Sequence, residues 1–136
     1  MGKTLLIFSY LIMPLLTIAQ SYDWAKRIGG TGDDVGRFIT VDNSGNIYTT
    51  GYFYGEVDFD PSEGVYNLSA TGNADLFIQK LDSKGNFLWA KSIGGNGYEE
   101  GKSIAVDTLG NVYITGSFCW KVDFNPNEGI YNLSAN

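Results

Sequence analysis

The chain has 136 residues, fifteen acidic against nine basic side chains, a formal net charge of −6 and no histidine. The acidic balance repels phosphate backbones and anionic membrane surfaces, so nucleic acid is a poor partner, and the missing histidine removes the commonest general base and transition-metal ligand. The single cysteine, Cys119, cannot form an internal disulfide, so stability has to come from packing.

Residues 1–19 have the character of an export signal. Lys3 supplies the positive amino-terminal region, an apolar stretch runs from Leu5 to Ile18, and Thr17-Ile18-Ala19 offers small residues for cleavage. The stretch is shorter than the ~20 apolar residues that span a bilayer, and no second candidate follows it. The expected mature chain therefore begins at Gln20, is secreted or held at the cell surface, and has no membrane span.

From Trp24 onward the chain repeats itself. With a shift of 65 residues and no gap, residues 24–70 match residues 89–135, identical at more than half of the positions. A repeat of this length is a supersecondary unit that buries its apolar face only by stacking on its neighbours. The expected organisation is a signal peptide over 1–19, a first repeat over 20–88, and a second repeat over 89–136 that stops before its third strand.

Each repeat opens with Trp-Ala-Lys-x-Ile-Gly-Gly, at Trp24 and Trp89. On a strand the Trp, Lys and Ile would share one face. Either the lysine stem lies along apolar surface with its ammonium in water, or a bulge resets the register. The glycine-rich run that follows, from Gly29 to Gly36, lacks the lysine and the helix of a phosphate loop and carries Asp33 and Asp34, so it reads as a connection between blades.

Residues 38–42, 47–53, 76–81 and 87–93 are rich in β-branched and aromatic side chains with glycine at the joints, and they predict four strands per repeat and almost no helix. Three joints share one pattern, Asp-x-x-Gly-Asn, at Asp42, Asp82 and Asp107. Each predicts a hairpin turn in which the aspartate accepts hydrogen bonds from turn amides and the glycine takes the left-handed conformation. A calcium loop would need six or more converging oxygens, which these turns lack.

The residues Ile-Gly-Gly-x-Gly followed by Ile-x-Val-Asp-x-x-Gly-Asn-(Ile or Val)-Tyr-x-Thr-Gly, over 29–51 and 94–116, resemble the bacterial β-propeller repeat called SBBP, familiar from exported proteins of the Bacteroidetes kind. That repeat is more distantly similar to the NHL repeat, whose period is shorter. The resemblance implies a four-stranded antiparallel blade and an extracellular address, and no particular substrate. Fewer than two blades are present where propellers close with about four to eight. The expectation is a portion of a longer reading frame, its open edges covered by further blades of the same chain or by self-association.

The extra length of the repeat falls between its second and third strands, residues 57–70 and 122–135. One reading takes Asp58, Asp60 and Glu63, with Asp123 and Glu128 in the second copy, as oxygen ligands for Ca²⁺. The other takes Asp60-Pro61 as a turn initiator, with Asp58 and Glu63 tying down loop amides over Phe59 and Tyr66. Replacement of Asp60 by Asn125 one repeat later preserves turn initiation and removes a charge from an ion site. Tyr52, Tyr54, Tyr66, Phe118, Trp120 and Tyr131 could also present faces to sugar rings. Trp120 is the best single candidate, with Tyr54 beside it, because Gly55 stands where Trp120 stands.

Two functions are open to such a chain. The first is a non-catalytic extracellular module that acts as a scaffold or adheres to a protein or glycan. The second is part of a carboxylate-dependent polysaccharide hydrolase or lyase, which requires two carboxyls in different environments. Recurrence of the acidic residues in kind one repeat later favours the first.

Overall fold

The computed structural model describes residues 23–127 and 129–135; the expected signal peptide, Gln20 and Glu128 lie outside the described residues. All of its regular structure is β, as the composition predicts. The strands are β1 (Val35–Val41), β2 (Ile47–Phe53), β3 (Glu56–Asp58), β4 (Asn67–Ser69), β5 (Asp75–Leu81), β6 (Phe87–Gly95), β7 (Glu100–Val106), β8 (Val112–Ser117), β9 (Lys121–Asp123) and β10 (Asn132–Ser134).

Antiparallel pairing of β1, β2, β5 and β6 makes one four-stranded blade. Its central strand β5, Asp-Leu-Phe-Ile-Gln-Lys-Leu, is covered on both faces, and its two-residue alternation divides the core. Phe77 packs with Phe53, Val57, Phe59 and Ala90 on one side. Leu76 and Ile78 pack with Tyr48 and Ile104 on the other, where β7 of the second repeat covers β1, β2 and β5, and Val112 and Ile114 of β8 pack at the margin. Buried polar groups on these strands are paired, as burial demands. Gln79 donates to the Phe59 carbonyl at 2.6 Å and the Thr50 hydroxyl to the Phe77 carbonyl at 2.7 Å.

The three Asp-x-x-Gly-Asn joints are superimposable in their hydrogen bonding. In each, the aspartate Oδ1 accepts from the amides two and four residues on at 2.8–2.9 Å, and the Asn side chain donates to Oδ2 at 2.8 Å. Gly45, Gly85 and Gly110 have φ of 82°, 80° and 84°, the left-handed conformation the pattern requires. These bonds to the ionised form hold the Asp42, Asp82 and Asp107 carboxyls below the usual carboxylate range, the Asn side chain contributing most.

The two copies of the Trp-Ala-Lys-x-Ile segment differ in the structure. Residues 24–28 form no strand, whereas their counterparts 89–93 belong to β6, because β5 is there to pair with them. In β6 the shared face of Trp89, Lys91 and Ile93 is real: Trp89 and Ile93 pack toward Tyr48 and Ile78, and the half-buried Lys91 stem lies along the same apolar groove. The register irregularity opposite Leu81 falls before Trp89, so it does not reset that face.

The extra length of the repeat folds as a hairpin, β3–β4 in the first copy and β9–β10 in the second. The second hairpin adds itself to the outer edge of the first blade, Gly94 opposite Asp123 and Gly95 opposite Val122, so that the sheet runs β1-β2-β5-β6-β9-β10. Glycine is required at this crossing. A Cβ on Gly95 would run into the Lys121 carbonyl, and one on Gly94 into the Asp75 carboxylate. The first copy repeats the contact, since a Cβ on Gly30 would strike the Glu56 carbonyl. The Gly-Gly pair thus lets one repeat's hairpin close on the strand before it.

Gly95→Ala is expected to destabilise the protein by about 1–3 kcal/mol through overpacking, while Gly36→Ala, whose Cβ would meet only the Thr49 methyl at 3.6 Å, costs less. Urea unfolding of the two variants checks this; equal midpoints would remove the close-approach explanation.

Candidate functional site

The strands alternate direction, so the sheet has two ends of different chemistry. One end carries the three aspartate turns. The other carries the Gly-Gly segments, the corners after β2 and β8, and the 71–74 turn.

A carboxylate organises each repeat at this second end. Asp34 accepts from the Gly30 amide at 2.7 Å through Oδ2 and from the Tyr54 amide at 3.0 Å through Oδ1. One repeat later Glu99 accepts from the Gly95 amide at 3.0 Å and from the Cys119 amide at 3.4 Å. The same two amides are held in both copies by an acid of either length. Glu99 is 1% exposed, and burial raises its pKa, with the nearby Asp75 carboxylate adding to the rise. Asp75, also 1% exposed, is raised by burial while the Thr71 amide and hydroxyl donate to it and oppose the shift.

The acidic residues of the extra hairpin are used in its own backbone. Asp58 Oδ1 accepts from the Asp60 amide at 3.0 Å and the Tyr66 amide at 2.8 Å, and Asp123 Oδ1 holds the Asn125 and Tyr131 amides at 3.0 and 2.8 Å. Asp60 accepts from the Ser62 amide and hydroxyl at 2.9 and 2.6 Å; Asn125 holds the Asn127 amide at 3.1 Å. Glu63 is exposed, and Glu128 lies outside the described residues. Among the described residues no three histidine, cysteine or acidic side chains are grouped so as to hold a metal ion. Asp58, Asp60 and Asp123 thus hold the loop amides that the turn-and-tie reading gave to Asp58 and Glu63.

The aromatic candidates divide. Tyr66 packs on Phe87 with ring centroids 4.9 Å apart, and Phe118 on Phe124 at 5.1 Å, so both serve packing. Tyr131 is 63% exposed and Trp120 62%. Tyr54 joins a cluster with Tyr52 and Tyr98, with centroid separations of 5.9, 5.2 and 6.4 Å. The Arg37 guanidinium lies 5.5 Å over Tyr52 and donates to Glu100 at 2.6 Å, joining β1 to β7. Burial, then the Tyr52 hydrogen bond, pushes the Tyr98 hydroxyl far above the usual tyrosine range. With Arg37 half exposed, solvent screens this ion pair.

This cluster was not visible as a group in the sequence. Most of its members sit where the copies differ: Tyr98 against Asp33, Tyr52 against Ser117, Tyr54 against Cys119, Glu100 against Val35, whereas Arg37 stands against Lys102. That mismatch was the available signal. The carboxylate pair Asp34 and Glu99 left the opposite trace, an acid in the same place in both copies.

The fold defines an all-β protein of antiparallel repeats with a period set by the hairpin insertion. A family model described as a β-propeller repeat, SBBP, matches residues 23–52 and 88–117. An uncharacterized WD repeat-containing protein of Acanthamoeba polyphaga mimivirus is 37% identical over 109 residues, covering 70% of this chain and 8% of that relative. The chain therefore spans only 8% of the length of the curated relative it matches. No solved structure matches the chain. Together these findings support a β-propeller repeat protein.

The two kinds of carboxylate oppose each other in pH dependence. Asp75 and Glu99 bind a proton more tightly folded than unfolded, so their effect on stability worsens as pH rises from the usual carboxylate range through their raised values. The turn aspartates and Asp123 are lowered, and their contribution is lost as pH falls below that range. The melting temperature should therefore peak at about pH 4–5, with the decline toward neutrality weakened in Asp75→Asn. Thermal melts across pH check this, and a melting temperature rising steadily to neutrality would contradict it.

Proposed function

We propose that the chain is a non-catalytic, extracellular β-propeller repeat module that binds a protein or glycan partner, at the end of the sheet opposite the aspartate turns. The observation that carries this reading is the division of labour between the copies. Residues that recur in kind, Asp34 and Glu99, Asp58 and Asp123, and the turn aspartates, are hydrogen-bonded to backbone. At that one end Tyr54 changes to Cys119 and Gly55 to Trp120 between the copies, whereas at the turn end the change of Ser44 to Leu109 leaves the aspartate's backbone bonds intact.

The hydrolase reading needs two carboxyls that can reach a substrate. Asp75 and Glu99 have the raised pKa of candidate acids but are 1% exposed and held by backbone amides, which favours a structural role. Apolar surface from Ile78, Trp89, Ile93, Val112 and Ile114 lines a groove of about 630 Å³. Further blades of the same chain, or self-association, would cover such a surface.

The test is to incubate the purified natural protein with extracellular proteins and polysaccharides, measuring both retention and product release. Saturable binding with no turnover is expected. Turnover of a polysaccharide that Asp58→Ala abolishes would overturn the reading.

A further inference from the structure

The pair β7–β8 repeats β1–β2 residue for residue. Gly101 stands opposite Gly116 as Gly36 does opposite Gly51, Ile104 opposite Ile114 as Ile39 does opposite Thr49, and the register shifts at the same place in both. The difference lies on the other edge of the second strand. β2 pairs with β5 from Phe53 opposite Asp75 to Ile47 opposite Leu81, whereas β8 pairs with β7 alone among the described residues.

Side chains common to both copies show what that edge lacks. Tyr48 is 1% exposed and Thr50 0%, and the Thr50 hydroxyl donates to the Phe77 carbonyl of β5. Their counterparts Tyr113 and Thr115 are exposed. The same residue types are thus buried where β5 and a following repeat cover them, and open where neither does.

The groove beside the edge shows the shape of the missing strand. Val112 and Ile114 alternate with Tyr113 and Thr115 and line the groove with Ile78, Trp89 and Ile93 of the first blade. In the first copy the positions opposite Gly51, Thr49 and Ile47 are Phe77, Gln79 and Leu81. A strand paired with β8 in the same register sets its corresponding residues opposite Gly116, Ile114 and Val112, on the face that lines the groove. Added strands are held in this way, by main-chain bonds along the edge and by side chains at alternate positions. A glutamine at the middle position would donate to the Phe124 carbonyl, as Gln79 does to that of Phe59.

The segments already on the chain do not fit that edge. β5 of a second copy is bonded on both sides, to β2 and to β6, so lending it would unfold its own blade. Residues 24–28 correspond to β6, which pairs with β5 and not with β2. In the first repeat residues 70–74 alone join β4 to β5, and β10 ends at Ser134, the counterpart of Ser69 where β4 ends. A strand joined through so short a connection is held at its edge at high effective concentration.

We propose that the free edge of β8 and the groove beside it receive a strand of the β5 kind, supplied by the same polypeptide beyond Asn136, with an aromatic residue, a glutamine and a leucine at alternate positions. This extends the repeat reading and is independent of what the module binds.

The test compares the 136-residue chain with one extended after Asn136 by a copy of residues 72–95, and adds a peptide of residues 73–95 to the shorter chain as a probe. Hydrogen exchange along 112–117, sedimentation and thermal melting are the readouts. The extended chain should be monomeric, melt higher and protect the β8 amides that face away from β7. The peptide should bind the shorter chain saturably, protect the same amides and keep the chain in solution. Phe77→Asp in the peptide should weaken binding by about tenfold or more, because it places a carboxylate in the apolar groove. An extended chain that gains neither protection nor stability, a peptide that does not bind at β8, or aggregation of both chains overturns the proposal. So does a shorter chain that protects β8 by dimerising and refuses the peptide. The intact mass of the natural protein reads the source of the strand, and a natural product ending at Asn136 overturns its assignment to the same polypeptide.

Discussion

The structure depends on a carboxylate clasp that fixes how one repeat meets the next. Asp34 and Glu99 each hold two amides from distant segments, the second glycine of Gly-Gly and, twenty residues on from the acid, the corner after the second strand. That bond pair sets the corner from which the hairpin departs. In the second repeat the hairpin then crosses Gly94 and Gly95 and extends the first blade. Burying a carboxylate costs solvation, which shows in the raised pKa of Glu99, and two amide donors offset that cost. The glycines matter for the same reason, since a side chain at Gly95 would hold the hairpin off the strand it must pair with.

With the clasp, the aspartate turns and the hairpin ties all built from the backbone's own hydrogen bonds, most of the acidic chemistry of the chain is spent on architecture. The aromatic groups, by contrast, are specific to one copy. The Tyr52, Tyr54 and Tyr98 group, bridged to Arg37 and Glu100, lies where the first blade meets the second, and Trp120 stands at the next corner of the same end. A repeat scaffold whose recurring residues hold its backbone can vary the others without disturbing its stacking.

The turns were legible in the sequence because their chemistry is local: Asp, Gly and Asn at fixed offsets settle φ and every bond within five residues. The four strands of the blade were legible from their residue types, although the first begins at Val35, three residues ahead of the Phe38 start, because the 36–38 bulge lets it follow β2 that far. Residues 24–28 were not legible, since whether a segment is a strand depends on a partner that its own sequence does not contain. Nor was the burial of Asp75 and Glu99, which follows from the meeting of distant loops. Trp120 could be singled out only by setting it against Gly55, and its left-handed backbone, which Gly55 shares, needed coordinates.

The account stands or falls on the clasp, and amide hydrogen exchange reads it directly. The amides of Gly30, Tyr54, Gly95 and Cys119 lie in loops and corners where exchange is ordinarily fast. If Asp34 and Glu99 hold them, all four should be protected to nearly the level of β5, and Glu99→Ala should release Gly95 and Cys119 while leaving Gly30 and Tyr54 protected. Exchange of all four at the rate of exposed Asn96 would mean that the carboxylates do not set the repeat geometry.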